Sequence, residues 1–306
     1  MTIPAFPVFK DLELSEKNVM EAAFIASFPE AAEYTFPNLF AWREFDRSKL
    51  TRIHTNICIL SVTFTKGICC FIQPLGKTRI PETIQTCLDH LIASDVEDPC
   101  IIRVEESFIK EQGLKDVFSC ELDRDNSDYV YRVEDLALLA GRKYDGKRNH
   151  IKQVRARGSY EYRPLSKELI PGCMHVLDVW SKNKFLKEDI ANLETLIFGE
   201  KAIKEYLKHF EVLGLLGGVL MKDGKVVVFT IASRLNKDTA VTYVEVSLPD
   251  EKGLNQLLNQ EFCKHGLKEF TFVNREQDLG HEGLRKAKMS YHPDHLVNKY
   301  ILRKKK

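Results

Sequence analysis

The sequence has almost no net charge: 45 Lys and Arg against 44 Asp and Glu leave a formal +1. So even a balance makes no global field that would gather nucleic acid or an anionic membrane, and either partner would have to be met by a local patch. Long apolar runs are missing too. The longest, 212–221, is about half of what a bilayer-spanning helix needs. No basic-then-apolar leader opens the chain, and we expect a soluble, cytoplasmic protein, with peripheral membrane contact left open. The eight cysteines include no Cys-x-x-Cys pair and fall mostly inside apolar runs, which suits reduced core thiols better than a disulfide framework. His281, His292 and His295 share no metal-ligand spacing with Cys263 or His265, so no metal site is expected. Gly214, Gly217 and Gly218 do not form Gly-x-Gly-x-x-Gly, and no Gly-x-Ser-x-Gly occurs. Those absences argue against dinucleotide binding and against a serine hydrolase of that class.

What the chain does contain is one dense stretch, 274–291. It follows a short apolar run and gathers Asn274, Glu276, Asp278, Arg285, Lys288 and Tyr291. Side chains directly after a strand end can converge on a crevice. Beyond Gly280 the pattern is helical, with Leu284 and Lys288 on one face, and the helix stops at the Pro293 turn near Tyr291. The same residues would also serve as a solvated cluster of salt bridges.

At 306 residues the chain suits two medium domains. An alternating run at 8–14 leads to Ser15 as N-cap of a helix through Ser27, and a second helix lies near Phe40. Strand patterns follow at 50–54, 56–64 and 67–73, the last two joined by a tight turn at Thr65, Lys66 and Gly67. A helix at 81–93, a strand at 100–104, a helix at 106–112 and strands at 115–120 and 129–133 complete the first half. The second half repeats this order: a strand at 160–163, helices at 166–180 and 190–209, and strands at 212–221, 225–233 and 240–247. A helix to Lys264, a strand near Phe270, the helix after Gly280 and a strand at 297–302 follow. Asp223-Gly224 marks a hairpin inside it. A faint echo, 12–17 against 163–168, sits at the first strand-to-helix junction of each half.

The stretch 274–291 resembles the signature near the C-terminus of the family related to the soluble domain of phosphatidylglycerol lysyltransferase. Gly141-Arg142-Lys143 and Lys147-Arg148-Asn149 resemble that family's block opening the second half, and Phe36, Asn38, Leu39 and Trp42 its early Phe-x-Asn-Leu-x-x-Trp pattern. The wider likeness is to the GNAT superfamily and to Fem-type peptidoglycan aminoacyltransferases. The resemblance implies an α+β fold with a mixed sheet, a tandem of two GNAT-like acyltransferase domains, which we place at 1–140 and 141–306. Where the family has Glu-Lys-Ala on the strand before the long loop, this chain has Glu245-Val246-Ser247. The carboxylate is kept and the lysine lost, so no role of that lysine carries over.

The resemblance implies catalysis by Glu245, as general base for an amine nucleophile, and by Tyr291, as general acid for the leaving group. Glu245 would equally suit a strand carboxylate facing solvent or a basic neighbour, and Tyr291 a half-buried aromatic. Tyr243 should share the face of Glu245. Asn274, Glu276, Asp278, Arg285 and Lys288 would shape the substrate site. The loop 248–256, with Lys252, Gly253 and Asn255, lies where GNAT proteins receive a pyrophosphate on a helix start. It holds one glycine and two acids, so an ordinary capped helix fits it too. The basic segment 142–157, with Arg148 and Lys152, suits a cofactor phosphate or the acceptor end of a transfer RNA, or simply a solvated face.

The leading expectation is therefore an acyltransferase that moves an acyl group from aminoacyl-tRNA or acyl-CoA to an amine or hydroxyl, such as a lipid head group or a small molecule. Neither donor would be permanently bound. The competing class is a non-catalytic binding protein that keeps the fold and recognises a lipid head group, nucleotide or protein in an inter-domain cleft.

Overall fold

The computed structural model describes residues 3–62, 69–186, 190–249 and 251–305. In chain order its first half runs β1 (Lys10–Asp11), α1 (Lys17–Ser27), α2 (Phe36–Asp46), β2 (Lys49–Ile53), β3 (Asn56–Val62), β4 (Cys69–Ile72), α3 (Ile80–Ala93), β5 (Ile101–Glu105), α4 (Glu106–Glu111), the single turn α5 (Leu114–Val117) and β6 (Phe118–Arg132). After α6 (Val133–Leu138) and α7 (Asp145–Ala156) the order returns. It comprises β7 (Glu161–Pro164), α8 (Ile170–Phe185), α9 (Ile190–Lys208), β8 (Leu216–Lys222), β9 (Lys225–Arg234), β10 (Thr239–Ser247), α10 (Leu254–His265), β11 (Phe272–Asn274), α11 (Glu282–Met289) and β12 (His295–Lys304). The repeated order of an α+β fold is thus present. No helix among the described residues is long and apolar enough to cross a membrane.

The chain forms two compact units, neither of them one continuous stretch. Unit 1 comprises Met1–Asp128, Gln277–Arg285 and Leu296–Lys306; unit 2 comprises Tyr129–Glu276 and Lys286–His295. A single cut near 141 therefore does not describe the division. A strand belongs where its hydrogen bonds are made, and β12 pairs antiparallel with β5, Lys299 opposite Glu105 and Tyr300 opposite Val104.

In unit 1 the strand order is β1-β2-β3-β4-β5-β12-β6. β4 and β5 run parallel, with Phe71 opposite Ile101 and Ile72 opposite Ile102. Helix α3 carries Ile80, Ile84, Cys87, Leu88 and Leu91 at helical spacing, all buried in a core with Phe71, Ile101, Val104, Phe118 and Leu302. Burying one such side chain contributes about 1.5–3 kcal/mol, so this stripe alone explains why the helix lies on the sheet.

In unit 2 the order is β6-β11-β10-β9-β8-β7, and β10 and β11 run parallel. Strand β9 is buried along nearly its whole length, as expected of a strand covered on both faces. The β8–β9 turn places Asp223 and Gly224 at φ of 50° and 73°, the left-handed pair that a two-residue hairpin requires.

Several elements differ from the sequence reading. The strand expected at 115–120 starts only at Phe118, after the α5 turn, and runs on through 129–132 as one strand, β6, because the residues between keep extended backbone with Glu121 and Asp125 exposed. Ser15 lies inside a 3-10 turn, Leu14–Glu16, and does not cap α1. Glu16 accepts the Glu13 amide there at 3.1 Å, completing a capping box. The run at 8–14 narrows to the two residues of β1, and α6 has no counterpart in the reading. The turn at Thr65, Lys66 and Gly67 lies outside the described residues.

Candidate active site

The site in unit 2 starts from its parallel strand pair. Thr239, Ala240 and Val241 pair with Phe272, Val273 and Asn274, after which the described parallel pairing ends while β10 continues beside β9. Into the opening at the end of β11 comes Arg275. Its Nη2 donates to Glu245 Oε2 at 2.5 Å, and Asn259 of α10 donates to Glu245 Oε1 at 3.3 Å. Both carboxylate oxygens are engaged. Tyr243 shares the half-buried side of β10 with Glu245, but stacks on Tyr206 at 5.0 Å and shares a hydrogen bond with Ser233.

Two tyrosines wall the guanidinium. Arg275 lies 5.1 Å from the centroid of the Tyr291 ring and 5.7 Å from that of Tyr131, and the rings meet edge to face at 6.4 Å. Burial disfavours the charge on Arg275, but Glu245 and the two tyrosines hold it above its ordinary range. Tyr291 is only 7% exposed. Burial pushes its hydroxyl up to about 12, with Arg275 pulling down and Glu245 pushing up. Lys147 of α7 also lies near Tyr291, 3.9 Å from the ring centroid, and donates to Ser290 Oγ at 2.7 Å. Burial first, and Arg275 second, lower the Lys147 pKa.

The surrounding backbone is tied down. Tyr144 donates to the Tyr291 carbonyl at 3.1 Å, and Tyr131 to the Lys288 carbonyl at 2.9 Å. The Lys288 ammonium donates to the carbonyls of Arg275 and Glu276. Asn274 is wholly buried, and its Oδ1 accepts the Glu276 amide at 2.8 Å, fixing a turn in which Glu276 takes a φ of 58°. The structure thus brings Glu245, Tyr291, Asn274, Glu276 and Lys288 together around Arg275.

Asp278 and Arg285 do something else. Both belong to unit 1, where Arg285 donates to the two oxygens of wholly buried Asp278 at 2.9 and 2.8 Å and to Asp125 at 2.7 Å. The Gly280 amide adds a bond to Asp278 at 2.9 Å. This fork-to-carboxylate clamp fastens 277–285 onto β6, so two residues expected to shape the substrate site are occupied by each other.

Lys252, Gly253 and Asn255 line one pocket of about 330 Å³ with Trp180, Lys184 and Ser247 at the start of α10. Gly253 takes a φ of 94° there, and a Cβ would meet Val154 at 2.8 Å, so the turn needs glycine twice over. Glu251 is held by Lys222 at 2.6 Å and by Tyr160, while Asp250 lies outside the described residues. Arg148 and Lys152 do not line this pocket. Arg148 spends its donors on the carbonyls of Leu139 and Gly141 and on Asp145. Lys152 is exposed.

The residues that sequence reasoning left unassigned are Arg275, Lys147 and Tyr131. Arg275 and Lys147 stand inside stretches singled out for their charge, but nothing in their spacing says that both meet Tyr291. Tyr131 sits on a strand whose partner is known only from the fold.

The fold is GNAT-like. Beyond that class, the chain belongs to the family of the phosphatidylglycerol lysyltransferase C-terminal region, whose model matches residues 26–303. Among solved structures it is similar to a conserved protein of unknown function from Bacteroides thetaiotaomicron, with a TM-score of 0.86 and 28% identity over 99% of this chain and 100% of that one. It is also similar in fold to L-PGS from Bacillus licheniformis, with a TM-score of 0.65 and 14% identity over 99% and 94%. A tandem GNAT protein from the clavulanic acid biosynthesis pathway gives a TM-score of 0.50 and 11% identity over 97% and 98%. No curated protein matches the chain.

Proposed function

We propose that this protein transfers an aminoacyl group to an amine or hydroxyl acceptor, with Arg275, Tyr291 and Lys147 of unit 2 as its reacting site. The observation that carries this reading is the fixed positive charge of Arg275 in a water-poor setting between two tyrosine rings. Acyl transfer passes through a tetrahedral intermediate whose new oxyanion is stabilised by charge already in place. Arg275 supplies that charge. Tyr291, with its hydroxyl pushed up to about 12, remains protonated at neutral pH and can give its proton to the departing oxygen, while the proton released by the acceptor passes to Lys147 in its neutral form, which burial favours.

Glu245 is assigned differently from the sequence reading. With Arg275 on one oxygen and Asn259 on the other, it is a positioning residue that aims the guanidinium. The donor is an aminoacyl-tRNA and the acceptor a lipid head group, as membership of a phosphatidylglycerol lysyltransferase family suggests. Acyl-CoA, seated at the α10 pocket, is the alternative donor. A second reading, a binding protein without turnover, is favoured by one observation: neither oxygen of Glu245 is free to take a proton.

The test is to follow transfer of a labelled aminoacyl group from charged transfer RNA to phospholipid vesicles or soluble amines, with acyl-CoA in a parallel arm. Tyr291→Phe should cut turnover about 10²-fold or more, the usual scale of a lost general acid, with little change in melting temperature. If the unaltered protein consumes no donor faster than buffer does, the transfer reading is wrong and the binding reading stands.

A further inference from the structure

A second polar centre lies in unit 1, at the end of the parallel pair β4 and β5. The described pairing of these strands stops at Ile72 and Ile102, and beyond it the side chain of Gln73 accepts the Glu105 amide at 2.9 Å. In this gap stand Glu33, from the α1–α2 connection, Asp46, the last residue of α2, and Arg103 of β5. Glu33 and Asp46 are each 4% exposed. Arg103 adopts a φ of 58°, a backbone conformation that L side chains rarely take.

The bonding here is incomplete in a particular way. Arg103 Nε is 3.7 Å from Glu33 Oε1, and its Nη1 is 3.9 Å from Asp46 Oδ2, both beyond hydrogen-bond reach. Glu33 Oε1 and Asp46 Oδ1 have no hydrogen-bond partner among the described residues. The other oxygen of Glu33 accepts from Lys299 at 2.6 Å, and Lys299 also bonds Asp128 at 2.6 Å, so that cation is shared between two carboxylates. Two cations, Arg103 and Lys299, thus face three buried carboxyl groups, Glu33, Asp46 and Asp128. The centre lacks donors and lacks positive charge.

We infer that unit 1 holds a second ligand site, at Glu33, Asp46 and Arg103, for a compound carrying a primary ammonium group. An ammonium brings three N–H donors and one positive charge, which are the two quantities missing. Water would fill the hydrogen bonds without the charge. A quaternary ammonium brings the charge without the donors. A metal ion has too few ligands, since among the described residues no group of three or more His, Cys, Asp or Glu gathers to hold one. The Arg103 side chain is 26% exposed, whereas those of Glu33 and Asp46 are 5% and 6% exposed. This site is independent of the transfer reading and survives its failure.

The experiment titrates methylammonium chloride against tetramethylammonium chloride at matched ionic strength and neutral pH, reading melting temperature and heat of binding on the whole chain. Methylammonium should raise the melting temperature by about 1–3 °C near saturation, since a ligand of the native state alone must stabilise it, and tetramethylammonium should not. Asp46→Asn should bind methylammonium at least about tenfold more weakly, the worth of one lost charge-assisted hydrogen bond. Its melting temperature without ligand should equal or exceed that of the unaltered chain, because an uncompensated buried charge is gone. Equal responses to the two salts, or an unchanged response in Asp46→Asn, would overturn the site. The salt comparison on the unaltered chain decides even where the variant does not fold. Ethanolamine and glycinamide then separate two sources of the same chemistry. Tighter binding of ethanolamine assigns a head-group amine, and tighter binding of glycinamide assigns an aminoacyl amine.

Discussion

Each unit ends its described parallel strand pair with an arginine placed directly after the last paired residue: Arg103 after Ile102 in unit 1, Arg275 after Asn274 in unit 2. The backbone event is the same, since two parallel strands that part leave a gap which a long side chain can enter. The chemistry is opposite. Arg275 is hydrogen-bonded to one carboxylate and walled by two tyrosines, whereas Arg103 faces two carboxylates and bonds neither. The difference comes from elements outside the strand pair. In unit 2 they supply Tyr291, Lys147 and Asn259; in unit 1 they supply Glu33 and Asp46. A repeated fold therefore supplies a repeated opening, and what the opening does is set by whichever side chains the rest of each unit turns toward it.

The comparison is broken most forcefully at Lys299. It is wholly buried and holds Glu33 and Asp128 at 2.6 Å each, so Lys299→Met leaves two carboxylates inside unit 1 without their shared cation. Removing one partner of a buried pair typically costs about 3–5 kcal/mol. We expect a loss of that size in urea unfolding at pH 7, and a loss below about 1 kcal/mol would show that water already reaches these carboxylates. The counterpart in unit 2 is gentler. Arg275→Met strands Glu245, but that side chain is 19% exposed and keeps its bond from Asn259, so about 2–3 kcal/mol is expected. Adding Glu245→Leu should recover much of it, since the pair then leaves together. A double variant no more stable than Arg275→Met would mean that Arg275 acts through its tyrosines.

How much of this was legible in the sequence follows the same divide. Periodicity exposes what is local: α3, the β8–β9 hairpin and the repeated element order all follow from apolar spacing and turn residues. The charged stretch 274–291 and the basic stretch 142–157 mark the neighbourhood of the site. Partners fixed by long-range pairing were hidden. Nothing near Lys299 says that it will be buried against Glu33, and nothing near Asp278 says that Arg285 will use up both its oxygens. The continuity of β6 was hidden for a related reason, because an acidic run looks like a loop until Arg285 and Lys299 are brought to it by the fold.

The smallest expected effect is also the most specific to unit 1. Glu105 is buried, and burial pushes its carboxyl up to about 7, although the amides of Glu30 and Ala31 donate to it at 2.8 and 2.6 Å. The neighbouring Glu30 charge pushes in the same direction as burial, and a hydrogen bond with the Gln73 side chain works against it. An unfolded glutamate releases its proton near 4.5, so between that pH and about 7 the folded chain holds a proton that the unfolded chain has lost. Stability contributed by this group is complete below 4.5 and falls as pH rises toward 7, with a limiting slope of about 1.4 kcal/mol per pH unit. Glu105→Gln removes the titration and leaves an oxygen for the two amides. The difference in unfolding free energy between the unaltered chain and Glu105→Gln should therefore change with pH between about 5 and 7 and be flat above about 8. Tyr291 of unit 2 should give no such difference at these pH values, since burial pushes its hydroxyl up to about 12. A difference that stays constant from pH 5 to 8 would mean that Glu105 is ionised throughout, and that the two amides outweigh its burial.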